Sequence, residues 1–211
     1  MSLIRMVLVG VVAAMLAGCG DKIVQLRYDT DPAIERVAGA QAVTVFRFTD
    51  ARGDEGDRGD VRRVGGIYGG YGNRLSKVMA ASPWPETLVQ ALTAGLTQRG
   101  IVTTAVADRE YRPGATVTTP LILSGEIRNF STEQRWSPQA HVGGIVRLYD
   151  QQGTLLVEKR VSVKTNLMAK DTTVAVNNVD PLEPLLNETL QKFVRAVVTD
   201  PDLSQRLVAG R

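Results

Sequence analysis

The residues that most often carry chemistry are scarce in this sequence. Among 211 residues there is one cysteine and one histidine, and aromatic side chains make up 5%. One cysteine cannot form an internal disulfide, and it cannot build a cysteine-based zinc site. One histidine, His141, lacks the partner histidines of a metal site and has no recognisable triad around it. It falls on a predicted strand opposite the core residues and reads as an exposed or partly covered strand histidine. Charge of one sign is scarce too. The formal net charge is +3, and the basic residues are interleaved with acidic ones rather than gathered in a stripe, so no nucleic-acid partner is expected.

Long apolar runs are absent except at the start. Arg5 precedes an almost unbroken apolar stretch from Met6 to Ala17, whose end overlaps Leu16-Ala17-Gly18-Cys19. A positive end, a short apolar run and small residues at the cut are the parts of a secretory signal. The run falls short of the roughly 20 residues needed to span a bilayer. A free thiol behind an ordinary signal is the bland alternative, but the four-residue box coincides with the only cysteine.

Leu16-Ala17-Gly18-Cys19 resembles the lipobox of bacterial lipoproteins. That resemblance implies a thioether-linked diacylglycerol on Cys19 and an acylated amine, the palmitate-type anchor of lipoproteins. It also implies that Gly20, standing where an inner-membrane retention aspartate would be, directs the protein to the outer membrane, facing the periplasm. The expected organisation is a signal peptide over 1–18, a lipidated N-terminus and tether over 19–40, and one periplasmic domain over 41–211.

Beyond the tether, Ala42 to Phe48 is rich in β-branched and aromatic residues and predicts a buried strand. Asp50 to Arg63 is dense in Gly, Asp and Arg and predicts a mobile surface loop. Its acids, Asp50, Asp54, Glu55, Asp57 and Asp60, do not follow the calcium-loop register, and four arginines interleave with them. Its two Arg-Gly-Asp triplets are short enough to occur by chance in such a loop. Val64 to Asn73 is Gly-rich and predicts a hairpin or extended flap. It lacks the third glycine and the Gly-Lys-Ser/Thr of phosphate-binding loops.

A helix is expected after Ser82 as N-cap, with Leu88, Leu92 and Leu96 on one stripe and Gly100 as its stop. Ile101 to Val106 predicts a strand. Three alternating segments around Leu121–Arg128, Ala140–Leu148 and Leu155–Val163 predict a meander, with Asp150–Gly153 as a four-residue hairpin loop. A second helix is expected from about Leu182 to Val198, with Phe193 mid-stripe, followed by a short amphipathic turn with Leu203 and Leu207. Together these predict an α+β domain: a two-layer sandwich with a mostly antiparallel sheet and two helices packed on one face.

From about Val43 to Leu207 the pattern resembles the YajG-like family of bacterial outer-membrane lipoproteins. The residues that carry it are Phe48-Thr49-Asp50-Ala51-Arg52, the Gly-Gly-Tyr-Gly-Asn flap at 69–73, Gln98-Arg99-Gly100, Leu123-Ser124-Gly125-Glu126-Ile127 and Leu186-Asn187-Glu188-Thr189-Leu190. Trp84-Pro85 before the first helix is similar, more faintly, to the auxiliary lipoproteins of ABC-type transport systems. Neither resemblance supplies a catalytic motif, and no catalytic, cofactor or metal residues are expected. The expected function is non-enzymatic binding of another envelope protein or lipid, with Tyr68, Tyr71 and Trp84 as the candidate interaction surface. The alternative is a ligand-binding auxiliary lipoprotein of an envelope lipid transporter.

Overall fold

A computed structural model describes residues 20–53, 59–167 and 181–208. The signal segment, Cys19 and the acidic residues Asp54, Glu55 and Asp57 lie outside the described residues.

One long strand organises the rest. β7 (Leu121–Gln134) has 14 residues, roughly 45 Å of extended chain, long enough to seat several short strands end to end along one side. β2 (Val43–Arg47), β3 (Thr49–Asp50) and β4 (Arg63–Tyr68) do so in succession, all parallel to it, with Val43 beside Leu121, Thr49 beside Glu126 and Gly65 beside Thr132. The opposite side of β7 pairs antiparallel with β8 (Pro138–Asp150), and β8 pairs with β9 (Leu155–Asn166). Outside β2 lies β6 (Thr103–Glu110), parallel to it. Outside β4 come β5 (Arg74–Ala80), antiparallel, and then β1 (Lys22–Val24), parallel to β5.

The meander β7–β8–β9 and the hairpin at Asp150–Gly153 are as expected, with Gly153 N–H donating to Asp150 O at 3.0 Å. The sheet as a whole is not mostly antiparallel. Among the described strands, five of the eight pairings are parallel: β1·β5, β2·β6, β2·β7, β3·β7 and β4·β7. The alternation of apolar residues reveals which face is dry but not the direction of the neighbouring strand. The fold is a mixed α+β arrangement with a large open sheet and, among the described residues, three helices.

α1 (Trp84–Gln98) begins at Pro83, not at a Ser82 cap: no side chain caps it, and Pro85 occupies the first turn, where a missing N–H costs nothing. Gly100 ends it at φ +92°, with Ile101 N–H reaching back to Leu96 O at 3.0 Å. α2 (Leu182–Val198) has the expected limits, and α3 (Pro201–Val208) follows, with Asp200 Oδ1 accepting the Leu203 N–H at 3.0 Å. α1 packs on β2 and β6, α2 on β7, β8 and β9, and the two helices touch each other. They meet at Gly95, where a Cβ would stand 2.6 Å from Val194 Cγ1. Leu88, Leu92, Leu186, Leu190 and Phe193 are fully buried in the core between these elements.

Residues 20–40 are not a free tether. Beyond β1, residues 25–37 run as a strap over the helices. Gln25 N–H donates to Glu183 Oε2 at 2.8 Å, Arg27 N–H to Asn187 Oδ1 at 3.0 Å, and Val37 N–H to Arg99 O at 2.9 Å. Asp31, 0% exposed, accepts from Arg195 Nε at 2.6 Å and from Ala33 N–H at 3.0 Å, while its own N–H donates to Gln98 Oε1 at 3.0 Å. Val24, Leu26 and Tyr28 alternate inward against the core, and side chains of α1 and α2 take the backbone N–H groups of Gln25, Arg27 and Asp31 in place of a partner strand.

Candidate functional site

Two hairpins end side by side. Because β4 runs parallel to β7, with Ile67 opposite Gln134, the β4–β5 turn lies at the same end as the β7–β8 turn. This contact depends on Gly65. Its φ is +149°, and a Cβ there would lie 1.7 Å from Thr132 O, so β4 can approach β7 only as glycine. The β4–β5 turn is closed by Gly69 N–H to Asn73 O at 2.8 Å and Gly72 N–H to Gly69 O at 2.9 Å.

At the apex Tyr71 is 103% exposed, Trp136 in the neighbouring turn is 90% exposed, and Leu75 is 58% exposed. The two turns touch: a Cβ on Gly70 would stand 3.8 Å from the Trp136 ring. Tyr68 is half-buried lower down, with the Arg135 guanidinium 4.6 Å above its ring centre. Tyr68 and Tyr71 therefore lie in the same hairpin, Tyr71 at its apex and Tyr68 below it.

Trp84 does not belong to this tip. It is 0% exposed, stacks on Phe130 at 5.1 Å between ring centres, and lies under the Arg52 guanidinium at 4.8 Å. Its Nε1 is buried with no hydrogen-bond partner among the described residues. The flanking prolines, which suggest an open loop, lead into α1, and a segment distant in sequence covers the ring. That segment is the start of the supposed mobile loop. Arg52, 3% exposed, grips Asp50 through Nε at 2.9 Å and Nη2 at 2.8 Å and donates to Arg63 O at 2.6 Å. This part of the loop is thus an interior charged cluster rather than solvated charge. Trp136 was missed because it stands alone between Arg135 and Ser137, and only the pairing of β4 with β7 brings it beside Tyr71.

A cavity of about 210 Å³ lies between β4 and β7, bordered by Arg52, Tyr68, Arg128 and Glu133. The guanidiniums of Arg52 and Arg128 already donate to Asp50 and Glu126 respectively. On the sheet face formed by β8 and β9, His141 Nε2 is 2.9 Å from Ser162 Oγ. Burial, helped by the nearby Lys164 charge, lowers the His141 pKa below the usual imidazole value. Among the described residues no cluster of three His, Cys, Asp or Glu side chains could hold a metal ion, and no helix is long and apolar enough to cross a membrane.

No protein-family model matches the chain, and no curated protein matches it in sequence. Solved structures do match it in fold. It is similar to protein XCC0632 from Xanthomonas campestris, described as DUF330, with a TM-score of 0.58 and 13% identity over 88% of this chain and 97% of that one. Lower similarities include lipoprotein GNA1162 from Neisseria meningitidis (TM-score 0.42, 14% identity, 76% and 99% covered) and the PelC dodecamer from Paraburkholderia phytofirmans (TM-score 0.38, 14% identity, 80% and 93% covered). At these identities the likeness to XCC0632 is one of fold.

Proposed function

We propose that this chain is a non-enzymatic, lipid-anchored outer-membrane protein whose periplasmic domain contacts another envelope component through its paired hairpin tips. The observation that carries the reading is the side-by-side exposure of Tyr71 and Trp136 on two turns that touch. Large aromatic side chains left in water expose apolar area that a binding event can cover. Support for the anchor comes from the lipobox-like sequence ending at Cys19, and support for the outer membrane from Gly20. Membership of the YajG-like family, and a single layer formed by α1 and α2, are parts of the same reading.

The alternative, a ligand-binding auxiliary lipoprotein of an ABC-type lipid transport system, calls for an apolar groove between helices and sheet. That space is occupied by Leu88, Leu92, Leu190 and Phe193, all fully buried, and the cavity beside β7 is bordered by charged side chains.

A photo-crosslinking residue placed at position 71 in cells tests the contact. Adducts are expected there, and none are expected from the same residue at the exposed position Val102, outside the tip. Equal yields at the two positions would remove the tip from the reading. Fatty-acid labelling of wild type and Cys19→Ser tests the anchor: label is expected only on wild type.

A further inference from the structure

We infer that the component met by the paired tips is the membrane surface itself, with Tyr71, Trp136 and Leu75 seated among the headgroups of the leaflet that holds the Cys19 lipid. This rests on the lipid-anchor reading above and adds an orientation to it.

Strand direction supplies the orientation. β5 leaves the tip at Arg74, and β1 runs parallel to it with Lys22 beside Val78. Moving backwards along β1 therefore leads towards the tip. Gly20 has already reached it, because its carbonyl accepts the Ser76 hydroxyl at 2.9 Å, two residues from Arg74. Cys19 is the next residue, and one peptide step moves the chain only about 3.8 Å. An acyl anchor on that residue therefore starts at the aromatic end of the domain, without a tether long enough to turn the domain round.

Residue type and shape select a lipid surface. Tryptophan and tyrosine favour the water–hydrocarbon boundary because each joins a flat apolar ring to a polar N–H or O–H. Protein-binding anchors are usually ringed by neighbours that exclude water. Tyr71, at 103% exposure, has no such ring among the described residues and projects from the turn. Charge agrees with this reading: Arg74 stands opposite Tyr68 at the β4–β5 turn and Arg135 lies in the β7–β8 turn, where Glu133 takes one of its bonds. Long basic side chains at that depth lay their stems along apolar surface and place their charge among lipid phosphates.

The chain's two tryptophans make a test possible, since Trp84 is buried and Trp136 is exposed. The full lipidated protein would be reconstituted into vesicles of phosphatidylethanolamine and phosphatidylglycerol containing phospholipid brominated near the headgroup. Bromine is expected to remove the Trp136 emission of wild type and leave the residual Trp84 emission of Trp136→Phe unchanged. Absence of quenching in protein whose Cys19 carries lipid by mass spectrometry would overturn the inference and leave the anchor standing. So would a Trp136 shielded from iodide in native membranes but not in vesicles that hold no other protein, which would put a protein on the tip. An unmodified Cys19 would instead overturn the anchor reading. Quenching of that same protein by added vesicles would still support the tip's affinity for lipid, and its absence would overturn the inference as well.

Discussion

The strap over the helices and the paired hairpin tips reverse the usual placement of residues. Asp31, a charged side chain, is 0% exposed, whereas Tyr71 is 103% exposed and Trp136 is 90% exposed. The difference follows from the partners each position offers. Around Asp31, the carboxylate, the backbone N–H and the backbone carbonyl all find hydrogen-bond partners, including Gln98 Nε2 on the carbonyl, so its desolvation is compensated. At the tips, β4 and β7 come together through their backbones, and among the described residues no apolar element lies over the turns. Burial here tracks available partners more closely than residue polarity.

Five variants can break or sharpen this contrast. The largest effect is expected beneath the strap, in α2, which supplies Glu183, Asn187 and Arg195 to it. Phe193 is fully buried, and Phe193→Ala should cost about 3–5 kcal/mol by chemical denaturation. Its neighbour Lys192 makes only an i,i+4 ion pair with Glu188, and Lys192→Ala should cost less than about 0.5 kcal/mol.

Asp31→Asn comes next, at about 1–3 kcal/mol, because it weakens two accepted hydrogen bonds in a buried place. Arg195 is partly in solvent, so the loss should fall short of that for a wholly interior ion pair. The pH dependence has a defined sign. Burial tends to raise the Asp31 carboxyl, but the Arg195 hydrogen bond, the Ala33 N–H and the Arg195 charge hold it below the usual carboxylate value. The unfolded chain therefore binds this proton more readily. Its contribution is present above the unfolded pKa and is lost as pH falls through the folded one. Asp31→Asn should flatten that acid limb in a series of melts.

Tyr28 acts on the alkaline limb. Its hydroxyl is buried with no hydrogen-bond partner among the described residues and pushed up to about 12, by burial first and the Asp31 charge second, against the Arg195 charge. Here the folded state holds the proton more tightly, so stability should decline between about pH 10 and 12, and Tyr28→Phe should reduce the decline, leaving the share of Tyr111, which burial also raises. The smallest effect is expected at the tips. Replacing Tyr71 and Trp136 together by serine should change stability by less than about 0.5 kcal/mol, since neither is buried. A larger loss would mean that the tips help hold the domain.

The same contrast explains what could be read from the sequence. The limits of α2, the meander and the glycine end of α1 were legible because each rests on local spacing or a local turn. Trp84 was placed on the surface because prolines flank it, whereas Arg52 and Phe130, 32 and 46 positions away, cover it. The strap is hard to read because the alternation of Val24, Leu26 and Tyr28 with Gln25, Arg27 and Asp29 is short, and the partners of Gln25, Arg27 and Asp31 lie on helices far along the chain. Within β7 a register shift between Ile127 and Asn129 changes the alternation, so Phe130 turns inward where strict period two would point Asn129. Of the tip, Tyr68 and Tyr71 could be found from the glycine-rich flap. Trp136 required the parallel pairing of β4 with β7, which no local pattern encodes.

The parallel pairing of β1 with β5 also has a mechanical consequence. Tension applied at Gly20 in the direction of the tips pulls along the axis of β1. It therefore loads the bonds from β1 to β5 together, in shear, instead of peeling them one after another. The strap behind β1 is fastened by side chains of α2 and by the end of α1, so a pull that slid β1 would next meet those fastenings.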